Sequence, residues 1–321
     1  MAQLRSLLPT VADRAAYEAI QPDAHSWLPA MQVICQRHAL PADALVRLSE
    51  GTNVVFAAGA QYIVKLYPPH WHRLCSVERV VAEHLHGKLG IATPAIVAAG
   101  ELEGWPYLVM QRLAGRYLGD VWDAMAPANQ LQLATDLGAL VAQLHALPTH
   151  GLEGLDTHWP AFVADRVRHC VQRHRDQGMA ETWLAQVPTY LAHAQPLYPR
   201  SFSPVIVSGD IHQYHLLVVE AQGEWCLAGL FDFDDARIGF HEYDLAATGL
   251  FLMHGRPQLL RTFLQAYGYR DADLTDALSR RLLAYTLLHR YRIFNWVRDE
   301  VVGDRSCTTL EQLATTIYAI R

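Results

Sequence analysis

The stretch "ALVRLSEGTNVVFAAGAQYIVKLYPP", residues 44–69, constrains the chain more than any other. It holds three short runs rich in β-branched and aromatic residues, Leu45–Leu48, Val54–Ala57 and Tyr62–Tyr67. The turn-like pieces "SEGTN" and "AGAQ" separate them. Links this short cannot make a parallel crossover, so the spacing predicts an antiparallel meander. A helix-like segment follows, "SVERVVAEHLHGKLG", stopping near Gly90 and Pro94. Then "GWPYLVMQRLAG" reads as a strand that leaves through a glycine-bounded linker.

The texture changes on either side. The first forty residues are helical, with "SWLPAMQVICQRHALP" spacing its apolar residues by three and four. Beyond the linker helices dominate, as in "LQLATDLGALVAQLHALP", where Leu133, Leu137, Leu140, Val141 and Leu144 keep helical spacing. A smaller β patch lies in "VIVSGDIHQYHLLV" and "WCLAGLFDFDDARIG", and the tail "RRLLAYTLLHRYRIFNWVRDE" is again helical. A β-rich N-terminal lobe and a helical C-terminal lobe make an α+β, bilobal chain. We expect residues 1–112 to form the first lobe, with its helical extension, and residues 113–321 the second.

Composition excludes several function classes. Charged residues are 18% of the chain and the formal net charge is -6, which opposes non-specific nucleic-acid binding. No apolar run approaches the length of a membrane span, and "MAQLRSLLPTVADRAA" lacks the apolar centre of a signal peptide. Five scattered cysteines with no CxxC pair argue against a disulfide framework or structural zinc and fit a reducing cytoplasm.

Phosphoryl transfer from a nucleotide needs a loop over the phosphates, a fixed cation, metal ligands and a base near the acceptor hydroxyl. Ser49, Gly51, Thr52 and Asn53 form a turn of small residues whose N–H groups could approach a phosphate. An ordinary hairpin turn is the plainer reading. Lys65, in "YIVKLY", shares a strand face with Ile63 and Tyr67. It points either to solvent or to nucleotide phosphates, held there by Glu78, which we prefer to Glu83. Asp210 and Asp232 end two apolar runs, where a carboxylate must be paired or metal-bound. They can serve as acceptor base and Mg²⁺ ligand, with His215 as a further metal contact or a structural histidine. Asp234, Asp235 and Glu242 are candidate contacts to a cationic substrate, and Asp244 caps a helix or braces the catalytic loop. Asp299 and Glu300 read as solvated surface, and Tyr285, Tyr291, Phe294 and Trp296 as packing.

Taken together, "SGDIHQYHLLV" and "LAGLFDFDDARIGFHEYDLA" resemble the paired signatures of the aminoglycoside phosphotransferase family, whose fold is protein-kinase-like. "GTNVVF", "YIVKLYPPHW", "WPYLVMQRLAG" and "LLAYTLLHRYRIF" are similar to segments of hygromycin B kinases, so the resemblance spans roughly residues 10–300. It implies ATP or GTP with Mg²⁺ as cofactors, Asp210 as the catalytic aspartate, and Asp232 as the main Mg²⁺ ligand. It also implies Lys65 on the α/β-phosphates with Glu78 as partner, Met110 behind the adenine, and the backbone of Gln111–Leu113 at its edge. His215 stands where the family usually has a metal-binding Asn. Two further departures are Ser208 for the His before Gly-Asp, and Phe240, followed by His241, for the Asp after Gly239.

The resemblance implies an O-phosphotransferase for a small, cationic hydroxyl acceptor, an aminoglycoside or aminocyclitol such as hygromycin B. A kinase of an amino alcohol or sugar and a catalytically weak kinase-like binding protein are the alternatives. We expect a cytoplasmic monomer or weak dimer without nucleic-acid or membrane partners.

Overall fold

The runs Val54–Ala58 and Tyr62–Leu66 are largely covered on both faces, whereas Leu45–Leu48, at the sheet edge, leaves Val46 exposed. The computed structural model describes residues 6–48, 51–289, 296–297 and 307–320. Strands β1 (Leu45–Leu48), β2 (Val54–Ala58), β3 (Tyr62–Leu66), β4 (Ile96–Leu102) and β5 (Trp105–Gln111) form one sheet in the order β1-β2-β3-β5-β4. Every pairing in it is antiparallel. The β4–β5 hairpin turns on Glu103 and Gly104, with φ of 50° and 82°, the positive pair that matches the strand twist.

On one sheet face Val54, Phe56, Val64, Leu66, Tyr107 and Val109 pack against Tyr17 of α1 (Arg14–Ile20) and Trp27, Met31 and Ile34 of α2 (Ala24–Arg37). On the other, Ile63, Tyr67, Leu108 and Met110 pack against Leu74 and Cys75 of α3 (His72–Leu85). Period-two geometry puts Lys65 on this second face with Ile63 and Tyr67, as the sequence requires. Helix α3 stops at Leu85, earlier than Gly90, because Gly87 turns the chain with φ of 71°.

The chain divides into two units, Met1–Ala114 with Gly229–Asp235, and Gly115–Ala228 with Ala236–Arg321. A single cut at 112/113 does not describe this. Segment Gly229–Asp235 returns to the first unit through a parallel bridge between Ala92 and Gly229, where Leu230 N–H donates to Ala92 O at 3.0 Å. The architecture is α+β, with a β-rich first unit and a mostly helical second.

The second unit contains β6 (Arg116–Tyr117), α4 (Pro127–Ala146), α5 (Trp159–Asp176), α6 (Glu181–Leu184), α7 (Val187–Ala194), β7 (Val205–Val207) and β8 (Leu216–Ala221). After β9 (Glu224–Leu230) come β10 (Arg237–Gly239), α8 (Glu242–Met253), α9 (Pro257–Tyr267), α10 (Asp276–Leu288) and α11 (Leu310–Ile317). Helix α8 is buried along nearly its whole length, which makes it the central helix of this unit. Helices α4 and α9 meet at Gly138, where an added Cβ would lie 2.3 Å from the Phe263 carbonyl oxygen. Leu133, Leu137, Leu140, Val141 and Leu144 are all buried, as their spacing predicts. Of the aromatic tail, Tyr285 is core, whereas Tyr291, Phe294, Asp299 and Glu300 lie outside the described residues. Among the described residues, no helix is long and apolar enough to cross a membrane.

Candidate active site

In the first unit, strand β3 delivers Lys65 into a buried cluster of carboxyl groups. Its Nζ lies 2.6 Å from Glu78 Oε2, 2.9 Å from Asp232 Oδ1 and 3.3 Å from Asp234 Oδ2. Glu78 comes from α3, one helical stripe with Cys75, Ala82 and Leu85, so its carboxyl faces the sheet. It also accepts a hydrogen bond from the Tyr67 hydroxyl. Glu83 is exposed, which closes the choice in favour of Glu78. Burial alone would strip Lys65 of its proton. The fields of Asp232, Glu78 and Asp234 oppose that and raise its pKa well above the usual lysine value. The Glu78 pKa is pushed up by burial, against the opposing pull of Lys65.

Asp232 differs from its neighbours. Its φ is 69°, left-handed backbone that a non-glycine residue adopts only under constraint. The buried Phe233 and Asp234 that follow supply the constraint. The Asp232 side chain keeps 26% exposure, whereas Glu78 keeps 2% and Asp234 7%. Of the three carboxyl groups, Asp232 is therefore the most open to a ligand. Oxygens of Glu78, Asp232 and Asp234 lie within 4.8 Å of one another. An all-carboxylate donor set of this kind suits a hard divalent cation such as Mg²⁺.

Gly51 has φ of 94° and nothing within 4 Å of an added Cβ, so its backbone borders open space. Asn53 is buried and donates through Nδ2 to Asp234 Oδ2 at 3.1 Å. Ser49 lies outside the described residues. At the end of β5, Met110 shares the face of Lys65, since Ile63 pairs with Met110 and Lys65 with Leu108. The Gln111 N–H is spent on Ala95 O and the Arg112 N–H on Gln61 O. The expected use of the whole Gln111–Leu113 edge therefore narrows on the donor side: the Leu113 N–H has no such partner among the described residues.

In the second unit, the Ser208–His215 loop leaves β7 and is pinned by α8. Asp244 Oδ2 accepts from the Ser208 N–H at 2.8 Å, and Oδ1 accepts from the Gly209 N–H at 2.7 Å. Thr248 Oγ1 donates to Ile211 O at 3.0 Å. His145 Nε2 lies 3.1 Å from Asp244 Oδ2, and its Nδ1 is 3.0 Å from the Tyr267 hydroxyl. Asp244 is thus the brace and not a helix cap. This brace reaches the loop through backbone groups, so Ser208 does not remove it. Asp210 is buried beside His212, whose Nε2 lies 3.3 Å from Oδ1. The Tyr214 N–H donates to His212 Nδ1 at 3.1 Å, so the neutral ring carries its proton on Nε2, facing Asp210. His215 Nδ1 is 2.9 Å from the Asp210 carbonyl oxygen. With Nδ1 at that carbonyl, Nε2 is the ring nitrogen that could hold a metal, the tautomer usual for a metal-binding histidine.

Two candidate substrate contacts are corrected. Glu242 is buried, with Arg281 at 2.6 Å and the Tyr269 hydroxyl at 3.0 Å on its carboxylate. It is a structural ion pair, because an unpaired carboxylate there would be far costlier. Asp234 is sealed against Lys65 and Asn53, which removes it from a substrate wall. Asp235 is half-buried at the end of the same segment. Phe240 is buried, its ring 5.0 Å from Phe202 and 4.3 Å from His241.

The sequence reading missed His145, Tyr67 and His212. His145 had a detectable signal, because it continues the buried stripe of Leu137 and Val141, where a polar residue needs a partner.

The family described as "Phosphotransferase enzyme family" matches residues 45–281. Solved structures share the fold at low identity. The GDP and kanamycin complex of APH(2″)-IIia aligns with a TM-score of 0.61 and 18% identity, over 83% of this chain and 94% of that one. The streptomycin–ATP ternary complex of APH(2″)-IIa gives 0.59 and 15%, over 90% and 96%. The macrolide 2′-phosphotransferase MphH from Brachybacterium faecium gives 0.60 and 19%, over 90% and 97%.

Proposed function

The chain belongs to the phosphotransferase enzyme family, and on that premise we propose that it transfers the γ-phosphoryl group of ATP or GTP to a hydroxyl of a small cationic molecule. The observation that carries this reading is Lys65, buried and held by Glu78 at 2.6 Å and Asp232 at 2.9 Å. A lysine meant only for solubility would not be buried, and among the carboxyl groups that hold it Asp232 stays open to a ligand.

In this reading the first unit binds the donor. Lys65 contacts the α/β-phosphates, the Gly51–Asn53 loop offers N–H groups, and Met110 with the Leu113 backbone receives the base. Asp232 would hold Mg²⁺, with Asp234 beside it. His215 Nε2 is the further candidate ligand, less suited to a hard cation than the Asn it replaces. Bound Mg²⁺ would supply neutralisation of phosphate charge. Asp210 orients the acceptor hydroxyl and takes its proton. The acceptor oxygen bonds to the γ-phosphorus, the bond to the β,γ-bridging oxygen breaks, and the nucleoside diphosphate leaves. The protein contributes position and charge, not a covalent intermediate.

For the acceptor we propose an aminoglycoside or aminocyclitol, with hygromycin B first. Similar folds bind kanamycin and streptomycin, and the sequence resembles hygromycin B kinases. The net charge of -6 and the scattered cysteines support a cytoplasmic setting. The test is release of ADP or GDP from Mg²⁺–nucleotide with a panel of aminoglycosides, aminocyclitols, macrolides, amino alcohols and sugars. Acceptor-dependent release with cationic glycosides is expected. Release only with an amino alcohol or sugar would move the assignment to a metabolic kinase, and no nucleotide binding would overturn it.

A further inference from the structure

Three successive carbonyl groups of the Gly51–Asn53 loop are taken up by helix α1 and its C-cap. The Tyr17 hydroxyl donates to Thr52 O at 2.9 Å. Gln21 Nε2 donates to Asn53 O at 3.1 Å and to Gly51 O at 3.3 Å. Arg47, from β1, adds donation to Val55 O at 2.8 Å. In a trans peptide unit the C=O and the following N–H point in opposite directions. Pinning the Gly51 and Thr52 carbonyls on α1 therefore turns the Thr52 and Asn53 N–H groups away from it. Among the described residues neither N–H has a hydrogen-bond partner. Two adjacent unspent donors with a shared orientation make a concavity for anionic oxygen.

The anchor itself is rigid. Tyr17 is buried, with ring centroids 6.3 Å from Trp27, 5.4 Å from Trp71 and 6.1 Å from Trp105. Burial raises its hydroxyl pKa above the usual tyrosine value, so it remains an O–H donor. The Gln21 carbonyl accepts from the Trp27 indole N–H at 3.2 Å, which fixes the start of that side chain. The aromatic core thus extends to the phosphate loop through two polar side chains.

We propose that Tyr17 and Gln21 are positioning residues of the nucleotide site: helix α1 orients the loop so that its Thr52 and Asn53 amides meet nucleotide phosphate. This rests on the nucleotide reading above. It deepens that reading by giving the N-terminal helix a role in donor binding.

The test is calorimetric binding of Mg²⁺–ATP and of adenosine to the full chain and to Tyr17→Phe, Gln21→Leu and the double variant. GTP and guanosine replace them if the wild type prefers guanine. Tyr17→Phe weakens triphosphate binding about fivefold, the factor for one lost hydrogen bond of ~1 kcal/mol, and Gln21→Leu, which loses two contacts, weakens it at least as much. The nucleoside, which has no phosphate, binds as before. Gln21→Glu, which sets a carboxylate against two carbonyl oxygens, weakens the triphosphate further. Triphosphate affinity unchanged in the double variant overturns the proposal while leaving the function standing. So does an equal loss for nucleoside and triphosphate, which would mark general loosening. A wild type that binds no nucleotide overturns both.

Discussion

At the residue scale, the decisive group is Lys65, one ammonium facing Glu78, Asp232 and Asp234. Replacing it with Met, of similar length and no charge, leaves three carboxyl groups without their cation. Breaking a buried pair from one side costs about 3–5 kcal/mol. Lys65→Met is therefore expected to lower the denaturant midpoint and to abolish nucleotide binding. Adding Glu78→Gln recovers part of the stability and none of the binding, a coupling that a double-mutant cycle reads directly. Additive stability losses would contradict the pairing. Lys65 and Glu78 were legible in the sequence because period two and helical spacing fix their faces. The burial of Asp234 was not. Nothing in "FDFDDA" tells which of three nearby carboxylates turns inward, because that depends on Asn53, far away in the chain.

At the element scale, α8 holds the Asp210 loop through Asp244, which accepts the Ser208 and Gly209 N–H groups at 2.8 and 2.7 Å. Asp244→Asn keeps the shape but replaces one acceptor oxygen with a donor, so one N–H meets an NH₂. Turnover is expected to fall about a hundredfold, the scale of a misplacement near 1 Å, with nucleotide affinity unchanged. Steady-state kinetics beside calorimetry would check it, and equal losses in both would contradict the loop-bracing role. Packing of α4 on α9 makes a separate prediction. Gly138→Ala forces a Cβ to within 2.3 Å of the Phe263 carbonyl oxygen, and overpacking of this kind costs about 1–3 kcal/mol by chemical denaturation. Strands β1, β2 and β3 were readable because short turns and alternation leave one solution, and β5 by its apolar run, whereas β4 was not read from the sequence. The bracing of the loop was only half-readable. A helix reveals its apolar stripe, but not that Asp244 on that helix and His145 on another meet.

At the scale of the whole molecule, stability should depend on pH through buried histidines. Burial lowers the pKa of His289 to about 3 and of His241 to about 4, and also lowers that of His174. Between pH about 6.5 and those values the unfolded chain binds protons that the folded chain does not. Stability contributed by these groups is therefore full above about pH 6.5 and falls as pH drops. The slope approaches about 1.4 kcal/mol per pH unit for a fully buried ring such as His289. Denaturation midpoints from pH 7.5 to 4.5 would show the fall, and replacing His289 with Phe would flatten it. The two-unit architecture was legible, because β-rich and helical texture separate along the chain. The return of Gly229–Asp235 to the first unit was not, since a linear division cannot show a segment that crosses back. The central claim is that Lys65 and Asp232 bind the donor while Asp210 serves the acceptor. It is tested most directly by comparing wild type with Asp210→Asn in one assay of acceptor-dependent phosphate transfer and one of Mg²⁺–nucleotide binding. The account predicts transfer reduced at least about a thousandfold with nucleotide affinity within about twofold of wild type. Transfer near the wild-type rate in Asp210→Asn would contradict it.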